Sequence, residues 1–85
     1  MSIGEQIDGS ELLELIEELE ATRLPPKEER RQIRLRAGVS ARRAAKAIPV
    51  APMTLLKWED GATPNPEHAV AYRRLLEALE RVAAA

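Results

Sequence analysis

The chain has no cysteine, no phenylalanine, one histidine, one tryptophan and one tyrosine in 85 residues. Without cysteine there is no disulfide framework, thiolate nucleophile or cysteine-based zinc site. His68 alone gives a serine–histidine triad or a multi-histidine metal site little to draw on. Aromatics are 2% of the chain, so the core must be built from Leu, Ile, Val and Ala. Such a core is marginal at this length and gains from dimerisation or a partner. No apolar run approaches the roughly 20 residues needed to span a bilayer. The acidic N-terminus argues against signal and transit peptides. These absences point to a soluble, cytoplasmic, non-enzymatic protein with no metal and no cofactor.

The net charge of −1 hides a strong division. Residues 1–22 carry seven acidic side chains and no Lys or Arg. Residues 23–57 carry ten cations against Glu28 and Glu29, a block of +8, and residues 58–85 return to −2. A basic stretch between acidic ends has two readings. It is a footprint for a polyanion, or it pairs with the acidic N-terminal segment inside the molecule.

Periodicity resolves the chain into helices. Residues 1–9 lack it and read as a loose arm, with Asp8 or Ser10 as the cap of the first helix. Leu12, Leu15, Ile16 and Leu19 then fall at i, i+3, i+4 and i+7, one helical stripe over 11–22 that Leu13 widens. Leu24-Pro25-Pro26 stops this helix, because residues before proline avoid the α region. A second helix is predicted for Lys27–Ala37, ended by Gly38 as a left-handed stop. Ser40 caps a third helix, Ala41–Ile48, with Ala44, Ala45 and Ile48 inward and Pro49 ending it. Pro52 opens a fourth helix over Met53–Asp60, closed by Gly61. Asn65 and Pro66 begin a fifth helix running to about Val82, with Val70, Tyr72, Leu75, Leu76 and Leu79 as its apolar stripe. There is no alternating strand pattern, and the chain reads as all-α.

The third and fourth helices form a pair joined by about three residues. Ala44 and Ala45 allow close approach, Val50 plugs the turn, and Leu55 and Trp58 anchor the fourth helix to the core. Pro52, Met53, Thr54, Leu56 and Lys57 then face outward on a helix able to enter the roughly 12 Å wide major groove. Met53 and Leu56 suit contact with thymine methyl groups. Arg42 and Arg43 open the third helix against its dipole, a placement that makes better sense beside a phosphate. Arg30, Arg31 and Arg36 read as general electrostatics or ion pairs with the acidic helix. Trp58 reads as core and His68 as exposed and incidental.

The run VSARRAAKAIPVAPMTLLKWEDG, Val39 to Gly61, resembles the helix–turn–helix of the Cro/C1-type (XRE family) DNA-binding regulators of phages and bacteria. The likeness runs without gaps from about Lys27, continues through the fifth helix to Leu79, and is most specific at Lys57-Trp58-Glu59-Asp60-Gly61; residues 1–24 lie outside it. It implies a lambda-repressor-like domain over 25–85, with its motif at 40–60 and an extra acidic amphipathic helix in 1–24. It further implies a sequence-selective, double-stranded DNA-binding transcriptional regulator, a repressor-like dimer associated with the nucleoid. Ala41 stands where members often carry a clamping Gln. Pro52, Met53 and Lys57 stand at base-facing positions, and Thr54 at one touching backbone or base. With Ser40, Arg42, Arg43 and Leu56 these form the candidate DNA-contact set. Arg34 and Glu59 stand where members form a partly buried ion pair. The chain departs from the pattern at Pro49, where Gly is usual, which implies a differently shaped turn. It departs again at Ala51, which lacks the capping hydroxyl, a loss of about 1 kcal/mol.

The stripe of Leu12, Leu15, Ile16 and Leu19 requires a place to be buried. It packs on its own domain, pairs with the same helix of a second subunit, or docks on another protein. Self-pairing must overcome Glu–Glu repulsion and would strengthen with salt, whereas DNA binding would weaken with it. The alternative to DNA binding is an interaction module reusing the fold, an antitoxin-like subunit or a phage protein that binds a host factor.

Overall fold

The structure, a computed structural model, describes residues 9–85. Among them are five helices and no strand: α1 (Gly9–Thr22), α2 (Lys27–Arg36), α3 (Ala41–Ala47), α4 (Pro52–Glu59) and α5 (Pro66–Ala84). None is long and apolar enough to cross a membrane.

Local chemistry sets most of the boundaries. The expected arm and Asp8 lie outside the described residues, apart from Gly9, which is the first residue of α1. Ser10 lies inside that helix rather than capping it. At the other end the Thr22 hydroxyl donates to the carbonyls of Glu18 and Leu19, competing for the last turn. Pro26 precedes α2 as its N-cap, and Gly38 follows at φ +73°, the left-handed geometry a C-terminal glycine supplies. The Ser40 hydroxyl accepts the Arg43 backbone N–H, and the Asn65 side chain accepts that of His68. Ala51 caps α4 with no side-chain bond, but Pro52 at the first turn has no N–H to satisfy. Gly61 closes α4 at φ +108°, with Lys27 packed where a Cβ would project.

The core is one cluster drawn from four helices: Ile33 of α2, Ala44 and Ala45 of α3, Leu55 and Trp58 of α4, and Tyr72, Leu76 and Leu79 of α5. Leu24, Val39, Ile48, Val50 and Leu75 pack around it, half-buried. α2 lies against α5 and α4, and α3 against α4. Val70 and Leu75 sit at the margin of the predicted α5 stripe, while Ala69 is buried within it. The small side chains of α3 let α4 come close, and the two large aromatics stack beneath: the Trp58 and Tyr72 rings lie 5.0 Å apart, tilted by 37°. His68 is not the exposed bystander expected from sequence. It is half-buried, its ring 5.8 Å from that of Trp58.

α1 stands apart from this core. It rests on α5, yet none of its residues is buried. Its apolar stripe remains open, with Leu12, Leu13, Leu15, Ile16 and Leu19 between 41% and 60% exposed. Packing on its own domain therefore does not bury the stripe.

Candidate functional site

The connection between α3 and α4 is Ile48-Pro49-Val50-Ala51. The Ile48–Pro49 peptide is cis, and no residue of this turn lies in the left-handed region. The Val50 N–H donates to the Ala45 carbonyl at 2.8 Å, folding the turn back onto α3. The Val50 side chain packs against the core. This fixes the start of α4, and Leu55 and Trp58, 1% and 4% exposed, fix its inner face.

The outer face follows from the 100° step of a helix. Pro52, Met53 and Lys57 are exposed. Thr54 and Leu56, next in sequence to the anchor Leu55, are half-buried. On α3, Arg42, Arg43 and Lys46 are exposed. Arg42 and Lys46 line the same depression as Pro49, Val50 and Pro52, so the cations of α3 border the first turn of α4. Ser40 is exposed but its hydroxyl is occupied by the cap of α3. Ala41, at the start of α3, is half-buried and its short side chain leans on the core.

A second constellation holds α4 from its other end. Arg34 and Glu59 are both buried, and the guanidinium donates through Nε to Glu59 Oε2 at 2.6 Å and through Nη2 to Oε1 at 3.0 Å. The third arm of the fork donates to the Val39 carbonyl at 3.0 Å. Arg31 adds a bond to Glu59 Oε1 at 3.1 Å and reaches Asp60 at 3.5 Å. Arg30 donates to the Pro25 carbonyl and, at 2.8 Å, to that of Trp58 in the last turn of α4, where a cation meets the negative end of the dipole. Of the two readings, general electrostatics or ion pairs with the acidic helix, the bonds of Arg30 and Arg31 match neither: they turn toward the C-terminus of α4. Positions 30, 31 and 34 share one face of α2 because they are three and four residues apart.

These bonds decide the charge states. Burial pushes the Glu59 carboxyl up, but the hydrogen bonds from Arg34 and Arg31 and their charges outweigh it and leave it below the ordinary carboxylate value. The bond to Glu59 raises Arg34 against the opposing effect of burial. Tyr72 is pushed up to about 12, first by burial and then by the Glu59 charge. Its hydroxyl is buried without a hydrogen-bond partner among the described residues. Because a buried polar group left unpaired carries its full desolvation cost, Tyr72→Phe should leave stability unchanged or raise it by about 1 kcal/mol, read as the midpoint of urea denaturation. A loss of more than about 1 kcal/mol would show that the hydroxyl has a role this packing does not contain.

Arg31 and Arg30 were the residues that sequence reasoning missed in this clamp. The signal was present, since they share a helical face with Arg34, but nothing in the spacing says which acid or carbonyl lies opposite.

Among the described residues no cluster of three or more acidic or histidine side chains is arranged to hold a metal ion. The fold defines an all-helical domain in which two short helices are packed as a pair and clamped at the end of the second. No family model, no curated protein and no solved structure matches the chain.

Proposed function

We propose that the chain is a lambda-repressor-like helix–turn–helix domain that binds double-stranded DNA by placing α4 in the major groove, as a transcriptional regulator rather than an enzyme. The observation that carries this reading is the disposition of α3 and α4. Leu55 and Trp58 hold α4 by its back, Met53 and Lys57 project from its front, and Arg42, Arg43 and Lys46 stand exposed on the neighbouring helix. A helix presented in this way, bordered by cations, matches a groove walled by phosphates.

The division of labour follows from side-chain chemistry. Lys57 reads a base edge or a nearby phosphate, and Met53 contacts the methyl group of thymine. Arg42, Arg43 and Lys46 neutralise phosphates and fix register without reading sequence. With few polar readers on α4, selectivity rests partly on the shape and deformability of the duplex. A dimer on a two-fold site would place two copies of α4 one helical turn apart, about 34 Å.

Selection from a random duplex library at fixed, near-physiological salt tests this directly. The expected result is an enriched motif, with Lys57→Ala lowering affinity for it by about 1–3 kcal/mol and changing base preference at one position. Absence of any enriched motif, together with no measurable duplex binding at low salt, would remove the reading.

A further inference from the structure

The exposed face of α1 has a definite character. At 100° per residue, Leu12, Ile16 and Leu19 form the centre of an apolar arc that Leu13 and Leu15 extend to either side. Glu20 falls between Ile16 and Leu13, Glu17 lies just beyond Leu13 and Glu18 beyond Leu15 on the other side, and α1 carries five glutamates in all and no cation. The arc continues into a groove of about 350 Å³ between α1 and the start of α5, lined by Leu15, Leu19, Leu24, Pro64, Pro66 and Ala69. The surface is therefore an apolar seam with acidic margins, about four helical turns long.

We infer that this seam is the docking site of a basic amphipathic helix from another protein, with leucine- or isoleucine-type residues at helical spacing and Lys or Arg along both flanks. Charge decides the occupant. Two copies of α1 packed along their stripes would set Glu17, Glu18 and Glu20 of each against those of the other, and like charges at the flanks of a helix pair select against self-association. Flanking cations on a partner convert the same repulsion into attraction. Of the cations of α2, Arg30, Arg31 and Arg34 are engaged with the end of α4 or its neighbouring carbonyls, which leaves Lys27 and Arg36, both exposed, as the other cations of that helix. The contact is independent of the DNA reading, since the seam lies on α1 and the edge of α5, whereas the proposed DNA-binding face lies on α3 and α4.

The test uses the full chain and three synthetic peptides of about three heptads. One carries a Leu/Ile stripe with Lys and Arg flanks, one the same stripe with Glu flanks, and one the composition of the first in scrambled order. Binding is followed by fluorescence anisotropy, and the mass of the chain alone by sedimentation equilibrium over a range of salt. The expected result is at least tenfold tighter binding of the basic amphipathic peptide than of the other two, weakening with salt, to a chain whose mass when alone is unchanged by Ile16→Glu. Ile16→Glu should abolish that binding. Glu17→Lys/Glu18→Lys/Glu20→Lys should transfer the preference to the acidic peptide, each variant keeping the far-UV circular dichroism and urea midpoint of the parent. Equal binding of the scrambled peptide, no binding of any peptide, or self-association of the chain that Ile16→Glu abolishes would each overturn the inference.

Discussion

Glu59→Ala should destabilise the domain by about 3–5 kcal/mol, because it leaves the Arg34 guanidinium buried without its counter-charge. Small domains are stable by only about 5–15 kcal/mol, so this single change should leave a substantial unfolded population near neutral pH. Arg34→Ala should also destabilise, since it leaves the buried carboxylate with Arg31 in place of two cations and removes the donor to the Val39 carbonyl. Replacing both partners by apolar residues of similar size, Arg34→Met with Glu59→Leu, should recover most of the loss, because the attraction in a buried pair is largely offset by the cost of removing two charges from water. Urea denaturation of the four proteins separates the outcomes. Equal stability of Glu59→Ala and the parent would show that the pair is effectively solvated.

The pH dependence has a fixed sign. Glu59 is held below its ordinary value of 4.5, so its unfolded form binds protons first. Its contribution is fully present above that value and is lost as the pH falls through the lower, folded one. The parent should therefore lose stability steeply in acid below about pH 4.5, and Glu59→Gln should show a shallower decline over the same window.

The second large effect concerns DNA. Arg42→Ala/Arg43→Ala/Lys57→Ala removes three exposed cations from the proposed interface. If each neutralises one phosphate, the slope of log K against log salt should become shallower by about 2–3, at roughly 0.9 per contact. The affinity for the selected duplex should fall on the order of 10²-fold or more at moderate salt. Stability should stay within about 0.5 kcal/mol of the parent, since the side chains are exposed and two of them oppose the dipole of α3. A folded triple variant with undiminished affinity would remove the DNA reading. The comparison also separates DNA binding from docking at α1, which these substitutions do not touch.

Much of this architecture was legible before any coordinates. Stops and starts come from chemistry local to the chain: Pro25-Pro26, Gly38 and Gly61 end segments, Ser40 and Asn65 begin them, and each acts through a backbone angle or a bond within three or four residues. The inward faces of α3, α4 and α5 follow equally from a period of 3.6 residues, which places Ala44, Ala45, Leu55, Trp58, Tyr72, Leu76 and Leu79 together.

The tertiary structure alone decided where charge is spent. The +8 block reads in sequence as a single basic stretch, but Arg30, Arg31 and Arg34 are committed to α4, whereas Arg42, Arg43, Lys46 and Lys57 remain open to solvent. It likewise decided that Ala41 leans on the core, that Thr54 and Leu56 are half-covered, and that α1 keeps its stripe exposed. The physical reason is range. Helix propensity, capping and amphipathic period act over a few residues and are written in order along the chain. An ion pair across 25 positions, or the depth to which one helix settles on another, depends on how the finished elements meet.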